Sequence, residues 1–239
     1  MNQTLPMPAP LPSTPQPLLR VRQLGKRYGA LTALHDASFD LWPGEVLAVV
    51  GESGSGKSTL LNAVAALART DWGFVHQNPA DGLRMDVSAG ANVGERLMGL
   101  GWRHYGQLRA TALEWLQRVE IDPWRIDDTP RVFSGGMRQR LQIARNLVTS
   151  PRLLFMDEPT SGLDVSVQAR LLDLLRRLTQ ELQLAVVIVT HDLAVARLLA
   201  QRMVVMQRGR IVESGLTDQL LDDPQHPYTQ LLVSSVLPP

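Results

Sequence analysis

Gly51-Glu52-Ser53-Gly54-Ser55-Gly56-Lys57-Ser58 has the form G-x-x-x-x-G-K-[ST] of a loop that cradles phosphates. Glycines let the backbone wrap closely around an anion with its N–H groups pointing inward. Lys57 is placed to reach the β- and γ-phosphates of a nucleoside triphosphate and the Ser58 hydroxyl to ligate Mg²⁺, with Thr59 beside them on the nucleotide-binding turn. Paired carboxylates follow later, at Asp157-Glu158. Asp157 can hold Mg²⁺ through a water, and Glu158, one residue further on, can polarise an attacking water. Ser134-Gly135-Gly136 is a second anion site, where glycines permit close approach to a γ-phosphate. Phosphoryl transfer to water needs positioning and charge neutralisation more than covalent catalysis, and these residue types supply both. The loop alone leaves a kinase, a GTPase and a motor open.

The elements that must position these groups are legible in the flanking residues. Glu45 to Val50, rich in Val and bounded by Pro43-Gly44, reads as a buried parallel strand, and Thr59 to Leu67 has helical spacing. Trp72 to His76, Leu153 to Met156 and Leu184 to Val189 are further candidate buried strands, running into Gln77, Asp157-Glu158 and His191. Val87 to Ile121 is helical, with Leu108, Ala112, Trp115, Leu116 and Val119 on one face, and Ser134 opens a helix burying Met137, Leu141, Ala144 and Val148. Val167, Leu171, Leu174, Leu178 and Leu182 mark another amphipathic helix, and Met203–Gln207 with Arg210–Glu213 a hairpin through Arg208-Gly209. Leu18 to Leu24 and Ala37 to Leu41 alternate like strands of a half-exposed antiparallel sheet. Strands alternating with helices predict an α/β fold, a P-loop NTPase core with a parallel sheet, an antiparallel β lobe and a helical lobe over about 87–148.

The whole chain bounds the partners. Its 239 residues suffice for a large core, and 24 Lys+Arg against 23 Asp+Glu give a net charge of +1, so no bulk attraction to nucleic acid or anionic lipid is expected. There is no cysteine, which excludes disulfides, iron–sulfur clusters and thiol catalysis. No apolar run approaches a membrane span and no secretion signal opens the chain, so a cytoplasmic location is expected. Residues 1–17 hold Pro6, Pro8, Pro10, Pro12, Pro15 and Pro17 and no charged side chain, which predicts a disordered, extended tail before a domain over 18–239. His35, His76, His104 and His226 show no paired metal spacing and are read as structural or solvated.

Ser134-Gly135-Gly136-Met137-Arg138-Gln139-Arg140, followed by Leu153-Leu154-Phe155-Met156-Asp157-Glu158-Pro159-Thr160-Ser161-Gly162-Leu163-Asp164, is far more specific than the phosphate loop. With Gln77 and His191 in order, almost everything from Leu18 to Leu237 resembles an ATP-binding cassette (ABC) nucleotide-binding domain. The resemblance implies roles. Tyr28 matches the aromatic that stacks on adenine, Gln77 the glutamine that senses Mg²⁺ and the attacking water, and Ser134 to Met137 the signature. Asp157 matches the Walker B aspartate, Glu158 the catalytic base, Ser161 to Asp164 the loop that crosses the dimer, and His191 the switch histidine. It also implies ATP and Mg²⁺ as cofactors and a second cassette, identical or related, placed head to tail so that the signature of one completes the ATP site of the other.

Phe133 to Arg140 and the late Asp223-Pro224-Gln225-His226-Pro227-Tyr228-Thr229 resemble the oligopeptide-importer branch. Most residues after Trp72, among them Trp72 to Gln77, Asp81 to Arg84 and Arg103 to Gly106, are closer still to the cassettes of carbon–phosphorus lyase systems, which degrade phosphonates. That implies an ATPase acting on the soluble lyase core complex; the alternatives are the ATP-binding subunit of a peptide- or nickel-type importer with permease partners, and a nucleotide-binding scaffold with impaired turnover. One departure is large: only 19 residues lie between Lys57 and Gln77. The family holds an antiparallel strand and a polar helix there. The antiparallel lobe is therefore expected to be reduced, with an exposed edge and unpaired backbone groups, while a direct strand–helix–strand crossover keeps the core.

Overall fold

Valine-rich β3 (Val46–Val50) is buried at all five positions because both faces of its sheet are covered. The computed structural model describes residues 16–236; most of the expected tail lies outside them. Before β3 come β1 (Leu19–Tyr28) and β2 (Leu31–Leu41), which pair antiparallel as a separate two-stranded sheet. After it come α1 (Lys57–Leu67), β4 (Trp72–Val75), α2 (Pro79–Gly82), α3 (Ala89–Gly99), α4 (Tyr105–Arg118), α5 (Gly135–Leu147) and β5 (Leu153–Asp157). The chain continues through α6 (Val165–Glu181), β6 (Ala185–Val189), α7 (Leu193–Leu199), β7 (Arg202–Gln207), β8 (Arg210–Leu216), α8 (Thr217–Asp222) and α9 (Pro227–Val236).

The second sheet has the order β4-β5-β6-β3-β7-β8, parallel throughout except for the β7–β8 hairpin. The period-2 alternation of a strand divides its core. Leu47 and Val49 face a layer with Leu34, Leu41, Leu60, Leu61 and Val64, from β2 and α1. Val46, Ala48 and Val50 face the opposite layer with Leu141, Leu171, Leu174 and Val195, from α5, α6 and α7. Helices on both faces make this a doubly wound α/β sheet. Each parallel strand ends at the same side of the sheet, and the chemistry-bearing residues follow those ends.

The short crossover differs from a simple return to a neighbouring strand. β4 does not pair with β3 but lies beyond β6 and β5, and α1 packs on both of those strands as it crosses. The 11-residue α1 carries the chain back along the strands over about 16 Å, and the link over residues 68–71 leads it to the sheet edge. The expected buried strand Trp72 to His76 is instead an edge strand, Trp72–Val75, with Trp72 36% exposed. Its backbone is not left open. The Asn146 side chain of α5 accepts from Phe74 N–H at 3.0 Å and donates to the Phe74 carbonyl at 2.9 Å, standing in for a strand partner. Gln142 donates to the His76 carbonyl at 3.2 Å. Gly73 gives this contact its space, since a Cβ there would meet Asn146 and Leu154 at 3.0 Å.

Candidate nucleotide-binding and hydrolysis site

A cleft of about 930 Å³ opens at the ends of β3, β5 and β6, lined by the phosphate loop together with Tyr28, Gln77, Glu158, His191, Arg208 and Gly209. The loop follows β3 directly. Gly56 caps α1 with φ 102° and offers no side chain to its first N–H groups, so those donors are left for a ligand. The side chain of Lys57, the first residue of α1, is 5% exposed and donates to the Gly51 and Glu52 carbonyls, both at 2.9 Å. Burial lowers its pKa below the usual lysine value, against the pull of Glu158, Asp157 and Glu52. Two of its three donors are thus committed to the loop and one remains.

Ser58 lies on the first turn of α1 and its hydroxyl donates to Asp157 Oδ1 at 3.0 Å. Asp157 closes β5, and burial raises its carboxyl above the usual range, partly offset by the Ser58 bond. A hydroxyl and a carboxylate, both hard oxygen donors, fit Mg²⁺. Gln77, just past the end of β4, uses its Nε2 on Glu158 Oε2 at 3.3 Å and on Ser161 Oγ at 3.2 Å, which leaves its amide oxygen for a cation or a water.

Glu158 is the meeting point. Besides Gln77, His191 comes to it, with Nδ1 3.1 Å from the same Oε2. Three strand ends therefore converge on one carboxylate that is only 18% exposed, while His191 is 62% exposed. Such a carboxylate, aimed into a cleft beside a cationic lysine, can accept a proton from a water held over a phosphate.

Tyr28, at the end of β1, stands at the rim, 56% exposed. Glu52, Ser53, Gly54 and Thr59 line the cleft as the sequence suggested, and Gly51 and Ser55 complete the loop behind them. The second anion site does not join them. Ser134 caps α5, accepting from Met137 N–H at 3.3 Å, and with Gly135 it faces solvent rather than the cleft of its own chain. A Cβ on Gly135 would touch Leu163 at 3.5 Å, so the Ser161–Asp164 loop lies beside the signature residues, with Asp164 exposed at the start of α6.

Two features escaped sequence reasoning. By sequence the Arg208-Gly209 turn is a hairpin connection only. In the structure both residues have positive φ, and the turn lies on the phosphate loop: Gly209 N–H donates to the Ser55 carbonyl at 2.8 Å and its carbonyl accepts from His35 N–H at 2.8 Å. The two-residue Arg-Gly spacing was the available signal. The other is Tyr228, whose hydroxyl accepts from the Glu52 N–H at 3.0 Å. No helix among the described residues is long and apolar enough to cross a membrane.

Comparison with known proteins agrees with this geometry. The family model described as "ABC transporter" matches residues 34–161, and one described as "Oligopeptide/dipeptide transporter, C-terminal region" matches residues 212–239. The chain is 63% identical over 248 residues to the putative phosphonates utilization ATP-binding protein PhnK of Escherichia coli K12, covering 93% of this chain and 98% of that one. It is 36% identical to the dipeptide transport ATP-binding protein DppF of the same organism, over 92% and 76%. Among solved structures, the dimeric post-hydrolysis state of the ATP-binding cassette MJ0796 bound to ADP and Pi superposes with a TM-score of 0.73 at 28% identity, covering 83% and 98%. The cbiO1 protein of Clostridium perfringens gives 0.76 at 26%, covering 93% and 96%. The chain belongs to the ABC transporter family and is one of its ATP-hydrolysing cassettes.

Proposed function

We propose that this cassette binds Mg-ATP in the cleft and hydrolyses it as half of a head-to-tail pair, to drive conformational change in the soluble carbon–phosphorus lyase complex of phosphonate catabolism. The observation that carries the catalytic part is the convergence of Gln77 and His191 on Glu158 Oε2, beside the Ser58–Asp157 pair. In this reading Tyr28 stacks on the adenine, and residues 51–59 hold the phosphates with Lys57 supplying the cation. Ser58, Asp157 and Gln77 would hold Mg²⁺, which when bound neutralises charge on the phosphates. Glu158 takes the proton of the attacking water, and Gln77 and His191 hold that carboxylate in line with it.

Support for the pair lies in Ser134, Gly135 and Asp164, which are exposed outside the cleft of their own chain, where another chain can reach them. The structurally similar MJ0796 cassette is dimeric. Support for the lyase partner is the 63% identity to a protein named for phosphonate utilization. The match of residues 212–239 to a transporter C-terminal region favours a second reading, a peptide-type importer subunit working on permease subunits. Phosphate release by the purified cassette with and without the lyase core separates them. Stimulation by the core supports the lyase role, and indifference to the core with stimulation by a permease pair supports the importer.

A further inference from the structure

The Gly51–Glu52 peptide is gripped on both of its polar atoms. Its N–H, on Glu52, donates to the Tyr228 hydroxyl at 3.0 Å, and its carbonyl, on Gly51, accepts from the Lys57 ammonium at 2.9 Å. A third side is closed as well, because a Cβ on Gly51 would run into the Met206 carbonyl. Tyr228 cannot follow the loop if the loop moves: its ring is 9% exposed and packed in the core on the α5–α6 side of the sheet. The segment that carries it is tied down in turn. The Glu213 carboxylate of β8 accepts from the backbone N–H groups of Gln225 and His226 at 2.8 and 3.1 Å, and His226 Nδ1 accepts from Tyr228 N–H at 3.1 Å.

We propose that Tyr228 is a positioning residue for ATP binding, whose hydroxyl sets the orientation of the Gly51–Glu52 peptide and thereby the direction in which Lys57 offers its remaining donor. The inference rests on the reading of residues 51–59 as the ATP phosphate site. Lys57 hangs from two loop carbonyls, and the one on Gly51 turns with the peptide that Tyr228 holds. Without the hydroxyl, the partly buried Glu52 N–H loses its acceptor, and the peptide gains by rotating toward water. ATP binding must then reverse that rotation. Tyr228 makes no described hydrogen bond to Glu158, Gln77 or His191, so the hydrolytic step keeps its rate once ATP is bound.

Tyr228→Phe tests this, because it keeps the ring and removes only the acceptor. The expected result is a rise of about five-fold or more in the Kd and KM for Mg-ATP, with kcat within about two-fold of wild type. Wild-type affinity in a folded Tyr228→Phe protein, or a fall in kcat at unchanged KM, overturns the proposal and leaves Tyr228 a packing residue. Lys57→Ala is measured alongside. If it binds ATP normally, the phosphate-site reading fails; if it loses ATP while Tyr228→Phe binds like wild type, only the role of Tyr228 fails. Should Tyr228→Phe not fold, the Glu52 amide of the nucleotide-free wild type decides. Exchange protection like that of β3 supports the bond, and exchange at open-loop rates overturns it.

Discussion

His191 Nδ1 lies 3.1 Å from Glu158 Oε2, and strand register explains how two residues from different strands meet. Asp157 pairs with Val189 across β5 and β6, and the Glu158 N–H donates to the Val189 carbonyl at 2.9 Å, so both side chains leave the sheet at the same level. Glu158 turns with φ 42°, in the left-handed region that a residue with a Cβ rarely occupies. That strain turns the carboxylate off the strand line and into the cleft.

Glu158→Gln is expected to bind Mg-ATP with affinity near wild type and to hydrolyse it about a hundred-fold more slowly or worse, since the amide keeps the shape and loses the basic oxygen. Phosphate release under single-turnover conditions checks this. Undiminished turnover would move the base to another residue.

Asp157→Asn separates stability from activity. Burial raises the Asp157 carboxyl above the ordinary carboxylate range, so its ionised form costs stability at neutral pH. A group whose folded-state pKa is raised costs nothing below its unfolded pKa, and the cost grows as pH rises through the folded value. The nucleotide-free asparagine variant should therefore melt higher than wild type at neutral pH and converge with it in acid. Its Mg-dependent hydrolysis should fall by about a hundred-fold or more. Melting curves across pH, with phosphate release at neutral pH, check both halves.

Gly209→Ala should destabilise the protein by about 1–3 kcal/mol, because φ is +75° and the new Cβ would press on the Ala33 carbonyl. The same turn bonds Ser55, so ATP affinity should weaken as well. Chemical denaturation and a nucleotide titration read the two effects separately.

The core was legible because its signals are local. Val46 to Val50 is a continuous apolar run flanked by Pro43-Gly44, and the helix after Lys57 repeats at helical spacing, so strand, loop and helix follow from neighbouring residues alone. The alternation that marks β1 stops at Leu24 although the strand runs to Tyr28, since Gln23 at φ 48° bulges the strand and charged Lys26 and Arg27 break the pattern. β4 looked buried because Trp72, Phe74 and Val75 are apolar; what makes it an edge is the position of β5, and what covers its backbone is a pair of amide side chains on α5. The Tyr228–Glu52 bond joins positions 176 apart and has no local signature at all. Gly209 carried its turn signal, but contact with the phosphate loop depends on β7 lying beside β3.

The head-to-tail pair is the claim on which the proposed role of the signature residues depends, since Ser134 and Gly135 face solvent rather than the cleft of their own chain. With Glu158 as the proposed base, Glu158→Gln should slow hydrolysis after closure, so the closed form should accumulate. The mass of Glu158→Gln in solution, measured with and without saturating Mg-ATP, reads this directly. The account predicts a nucleotide-dependent doubling that Lys57→Ala abolishes. A one-copy mass at saturating Mg-ATP, both alone and with one cassette per complex when the lyase core is present, would contradict it.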